Sequence, residues 1–165
     1  MKIDPDSSED LSAQIAQAIR DAIVSGALIV DQRLPMFFGS QYKMKSVIAA
    51  EVAAITAWRV IDVGDRIGAI LFNDERVVEA RPARSEKKAM GWLGDLATMN
   101  NELSVNSGVP SRPEALAEAL RATERQISHD YLVILVSDFY GWSDAALQSI
   151  RHIGQHNDIV CSMIY

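Results

Sequence analysis

Ala27-Leu-Ile-Val-Asp-Gln-Arg-Leu-Pro-Met-Phe-Phe38 decides how this chain is read. Its first four residues form a continuous apolar run, the pattern of a strand covered on both faces. The run ends at Asp31, and Pro35 interrupts any regular continuation. A carboxylate at the end of a buried strand, leading into a loop, sits where open α/β sheets place their ligand sites.

The same design recurs downstream. Ile67-Gly-Ala-Ile-Leu-Phe72 is a second buried strand, and Arg76–Arg81 alternates as an edge strand returning antiparallel after the Asn73-Asp74 turn. Tyr131-Leu-Val-Ile-Leu-Val-Ser137 is the strongest apolar run and meets Asp138; Ile159–Ile164 is a last strand. Helices are expected over 42–62, 86–103, 113–127 and 143–156, the last opened by Ser143-Asp144. Val47, Ile48, Val52, Ile55, Trp58 and Ile61 are expected on the buried side of the first of these, with Trp58 and Trp92 both in the core. Strands alternating with helices predict an open, mostly parallel, Rossmann-like sheet with helices on both faces. Its expected strand order is 3-2-1-4-5, with strand 3 antiparallel at an edge and 131–137 in the interior. Ahead of this unit (27–165), residues 1–26 read as a helical extension. Leu11, Ile15, Ala18, Ile19, Ala22 and Ile23 form its apolar stripe, and Gly26 is its stop.

A chain of 165 residues suits one domain. Apolar content of 48% beside 23% charged residues is that of a soluble globular protein. A net charge of −6 argues against a nucleic-acid surface, which needs concentrated basic charge. No run approaches the ~20 apolar residues of a membrane span, and residues 1–10 have no signal-peptide core. One cysteine, Cys161, cannot form an internal disulfide; it reads as a small core residue, and the cytoplasm is the expected location.

Asp31-Gln-Arg-Leu-Pro-Met-Phe-Phe-Gly-Ser40, Lys45-Ser-Val47, Gly64-Asp-Arg-Ile-Gly-Ala69, Ser137-Asp-Phe139 and His156-Asn-Asp158, in this order, resemble the bacterial von Willebrand factor A-like proteins of domain-of-unknown-function family fifty-eight. The resemblance spans 28–165. It implies a non-catalytic protein-binding domain that acts with a MoxR-type AAA+ ATPase or its client in protein maturation or assembly. Family members usually carry a β-rich segment ahead of this domain, so the chain reads as a truncated or fused form. Residues 11–35 also resemble the first helix of GntR-type regulators. A DNA-binding regulatory fragment is therefore the alternative, although no recognition helix follows.

In the fold that this resemblance implies, two serines, a threonine and one or two aspartates hold Mg²⁺ or Mn²⁺ through oxygen. Asp31 and Asp138 match the aspartates. Arg33 and Pro35 stand at the serine positions, and the 106–113 loop offers Ser107 and Ser111 but no threonine. A degenerate metal-ion-dependent adhesion site is expected, with no bound metal or other cofactor and with Arg33 bringing positive charge toward the cation position. Asp31 and Asp138 read equally as strand-end residues that bond loop amides. A phosphoryl-transfer hydrolase would need a second carboxylate at position 33, so a metal-dependent hydrolase is a third and weaker reading. Met36, Phe37, Phe38, Phe139, Tyr140 and Trp142 follow the two strand ends, either as a contact patch or as packing for the helix tops. His152 and His156 have the spacing of a zinc pair but lack the intervening glutamate and a third ligand; they read as last-turn residues favourable to the helix dipole.

Overall fold

The structure, a computed structural model, describes residues 25–39, 43–106 and 108–165. Five strands form one sheet in the order β3-β2-β1-β4-β5: β1 (Ser25–Asp31), β2 (Ile67–Phe72), β3 (Val77–Ala83), β4 (Tyr131–Ser137) and β5 (Asp158–Met163). All neighbours run parallel except β2 and β3, so β3 is the antiparallel edge. The expected order, the antiparallel edge and the interior place of β4 all hold. β1 begins at Ser25, however. Gly26 lies inside it, donating its N–H to the Arg66 carbonyl at 2.7 Å, and is therefore not a helix stop. The expected helical extension over 1–26 lies outside the described residues up to position 24.

Among the described residues, four helices flank the sheet: α1 (Lys45–Asp62), α2 (Glu86–Glu102), α3 (Ala115–Gln126) and α4 (Asp144–Ile153). Alternation along the strands divides the core in two. Leu28 and Val30 of β1 face α1 and α2, with Trp92, Leu96 and Met99. Ala27 and Ile29 face α3 and α4, with Leu116, Leu120 and Ile153. Ser85 and Ser143 cap α2 and α4 by accepting the N–H groups of Lys88 and Ala146.

The burial of α1 corrects the sequence reading. Its inward residues are Ser46, Ala49, Ala53, Thr56, Ala57 and Val60, while Ile55 and Trp58 are 55% and 42% exposed. Alanine and serine let the helix backbone lie close to the sheet; Ile48, Val52 and Ile61 pack partly buried against the core as expected, and Ile55 and Trp58 turn away. Trp92 is core as expected, at 4% exposure. Cys161, expected in the core, is exposed on β5.

Candidate functional site at the carboxyl ends of β1 and β4

β1 and β4 are hydrogen-bonded neighbours, with Val30 opposite Val136, so Asp31 and the Ser137-Asp138 pair emerge side by side. Asp31 is fully buried and every partner it has is internal. Its Oδ1 accepts the Arg33 backbone N–H and Nε–H, each at 3.0 Å. Its Oδ2 accepts Arg33 Nη2 at 2.7 Å and the Ser137 hydroxyl at 2.6 Å. The arginine fork thus grips the carboxylate through two nitrogens, the geometry that makes such pairs strong.

Arg33 is itself 1% exposed. Beyond Asp31 it donates to the Tyr140 carbonyl at 3.0 Å and to the Pro113 carbonyl at 3.3 Å, and its guanidinium carbon lies 5.3 Å from the Phe72 ring centroid. One side chain therefore ties together the loops after β1, before α3 and after β4. Burial by itself would lower the guanidinium pKa. The hydrogen bond and charge of Asp31, with the charges of Asp138 and Asp74, outweigh it and hold the pKa above its ordinary value.

Asp138 takes other partners. It accepts the Tyr140 N–H at 3.0 Å and sits 3.7 Å from Lys45 Nζ at the start of α1. The two aspartates end neighbouring strands, but one is sealed beneath Arg33 and the other faces the rim. Pro35 lies half-buried in a single 3-10 turn, Leu34–Met36. Ser111 is exposed in the loop before α3, and Ser107 lies outside the described residues.

Of the six residues read as a contact patch, three are surface residues: Phe38 at 69%, Tyr140 at 53% and Trp142 at 43% exposure. Met36 is wholly buried in the core beneath α1, which removes it from the patch. Phe37 is half-buried. Phe139 packs against the core on the α3–α4 face and lies 5.8 Å from the Trp142 ring, centroid to centroid. The loop that presents these rings is bent hard. Phe139 has φ 59°, a left-handed conformation costly for a residue with a side chain, and Gly141 has φ 74°. A Cβ on Gly141 would come within 2.6 Å of Pro113.

Sequence reasoning missed Asp74, which was read only as half of a turn dipeptide. It is 6% exposed and accepts two backbone amides, Leu34 N–H at 2.5 Å and Arg112 N–H at 2.6 Å. Gln32 was missed as well. Its buried amide donates to the Ser46 carbonyl at 3.0 Å and accepts from Asn100 at 2.9 Å, joining the strand end to α1 and α2. The sequence offers no local signal for either role, because every one of these partners lies more than ten positions away. A cavity of about 160 Å³ beside Asp74 falls below the ~300 Å³ at which small-molecule sites begin. Among the described residues, no group of three or more His, Cys, Asp or Glu is placed to hold a metal ion. His152 lies in the last turn of α4, where a cation suits the helix dipole.

Strand order, the antiparallel edge and helices on both faces define an open, mostly parallel α/β domain. The family model described as "Protein of unknown function DUF58" matches residues 9–165, and the chain belongs to that family. Among solved structures it is similar to the crystal structure of the SpRpn10 VWA domain, at 11% identity and a TM-score of 0.42, covering 87% of this chain and 90% of that one. No curated protein matches it. No helix among the described residues is long and apolar enough to cross a membrane.

Proposed function

We propose that this domain is a non-catalytic protein-interaction module that docks its partner on the loops after β1 and β4, and that Arg33 supplies from within the positive charge a metal ion would bring. The observation that carries this reading is the closed Arg33–Asp31 pair. Both carboxylate oxygens are engaged by Arg33, and Oδ2 also takes the Ser137 hydroxyl. The residues present do not fit Mg²⁺ or Mn²⁺, which require several free oxygen donors and no cation beside them. A serine hydroxyl at 33 would be such a donor; the guanidinium there is a competitor.

The same geometry supports binding over catalysis. Asp31 has no exposed oxygen to act as base or nucleophile, and Arg33 has no exposed nitrogen to clamp an anion. What the site offers to solvent is a set of rings, Phe38, Tyr140 and Trp142, beside the Lys45–Asp138 pair. Exposed aromatics on a braced loop are the residue type that dominates interface energies. The resemblance noted above makes a MoxR-type AAA+ ATPase, or a client of one, the partner to try first.

The test is titration of a purified MoxR-type ATPase against wild type, Phe38→Ala and Trp142→Ala, with melting curves in parallel. The reading expects each ring to cost about 2 kcal/mol of binding, a roughly thirtyfold weaker Kd, at near-wild-type stability. Normal binding by both variants, with loss on an α2 change such as Lys88→Glu, would move the recognition surface to the helical flank.

A further inference from the structure

α1 and α2 pack against each other on one face of the sheet, and a shallow groove runs along their outer surface between them. Its lining recurs at three- and four-residue steps, with Ala50, Ala54 and Trp58 on α1 and Met90, Gly94 and Ala97 on α2. Small residues thus share the groove with two large apolar side chains left in water, Trp58 and Met90, at 42% and 55% exposure. Ile55, equally exposed, carries the apolar surface on toward the end of α1. Among the described residues nothing accounts for Gly94. A Cβ there would meet no atom within 4 Å, and glycine inside a helix weakens it relative to alanine. A backbone that approaches closely from outside gives the missing side chain a use.

We propose that this groove seats one amphipathic helix of a partner protein, apolar along one side and flanked by lysine or arginine. Its length suits such an occupant: the α1 lining from Val47 to Asp62 runs roughly 22 Å, about four turns of helix. Charge selects the flanks. Along the groove stand three carboxylates, Glu51, Asp62 and Glu86, and one guanidinium, Arg59. Lys43 answers Glu51 at 2.6 Å, while Asp62 and Glu86 have no ion-pair partner among the described residues. A second copy would bring an acidic rim against an acidic rim. Residues 1–24 carry the same sign, with five carboxylates against two cations. A basic helix is the complementary occupant. None of Phe38, Tyr140 and Trp142 lines the groove, so the inference does not rest on the strand-end reading.

The experiment titrates the full chain into two fluorescent helical peptides of about 18 residues that share one leucine stripe. One is flanked by lysine and its twin by glutamate. The lysine peptide should bind about tenfold or more tightly than the twin, and Asp62→Lys with Glu86→Lys should reverse that preference. Gly94→Gln fills the groove at a position where the fold leaves room. It should weaken the lysine peptide about tenfold or more at an unchanged or higher Tm. Gly91→Gln, an equally open helical glycine outside the lining, should leave binding within about twofold. No binding of the lysine peptide, equal affinity for both peptides, or equal weakening by the two glycine variants would overturn the inference. Two further outcomes would overturn it by naming another occupant. A dimer in sedimentation that Gly94→Gln dissolves would give the groove to a second copy. Flotation with phosphatidylserine vesicles that the same change abolishes would give it to a membrane surface.

Discussion

Arg33→Met removes the charge at the centre of the site while keeping much of the side-chain volume. Asp31 would be left fully buried with the Ser137 hydroxyl and the Arg33-position N–H as its remaining donors. Breaking a buried pair from one side costs about 3–5 kcal/mol, because the remaining charge keeps its desolvation penalty and loses its partner. Lost contacts to the Pro113 and Tyr140 carbonyls place the change toward the upper part of that range. For a chain of this size, such a loss lowers Tm by roughly 6–20 °C. Asp31→Leu combined with Arg33→Met removes both charges and should recover most of the loss, since apolar replacement of a whole buried pair is often neutral or stabilising. Because the Arg33 pKa is raised, its stabilising contribution is complete below the ordinary arginine range and fades only as pH climbs beyond it. Its penalty on removal should therefore be the same at pH 6 and pH 9. Urea denaturation followed by circular dichroism measures all three quantities. A loss below about 1 kcal/mol for Arg33→Met, or no recovery in the double variant, would refute the view that this pair holds the strand-end loops together.

Trp92→Ala should cost about 3–5 kcal/mol as a core truncation, and Trp58→Ala below about 1, both read by urea denaturation. Gly141→Ala should destabilise by about 1–3 kcal/mol, since it puts a Cβ against Pro113 at a φ that favours glycine; a melting temperature equal to wild type would contradict the bend seen there. Arg33→Ser with Pro35→Ser should raise Mg²⁺ or Mn²⁺ affinity measurably by calorimetry, since two hydroxyls replace a cation and an imino acid; a micromolar site in the unaltered protein would refute the argument.

The sheet was legible because its strands are short apolar runs bounded by turn residues and aspartates, a local signal. Tyr131–Ser137 was read with the bounds the structure gives it, and the strand order followed from connection rules. The buried face of α1 was legible only in part: Ile48, Val52 and Ile61 do pack against the core. That helix is apolar on several sides, and residue size rather than hydrophobicity decides which side meets the sheet: Ala49, Ala53 and Ala57 go in, Ile55 and Trp58 stay out. At the site, the sequence put a positive charge, Arg33, two positions after Asp31. It did not show that the guanidinium is spent on Asp31 and on carbonyls 80 and 107 positions away. Asp74 escaped notice for the same reason, because the amides it holds belong to loops that only the fold brings together.

Hydrogen-exchange footprinting of the domain with a purified MoxR-type ATPase, in EDTA and again in Mg²⁺ with the nucleotide omitted from both, tests the central claim most directly. The account predicts protection over residues 33–38 and 138–142 in both buffers, because the positive charge at the site is Arg33 and stays in place when metal is removed. Protection that vanishes in EDTA, or that falls on α1 and α2 in place of these loops, would contradict it.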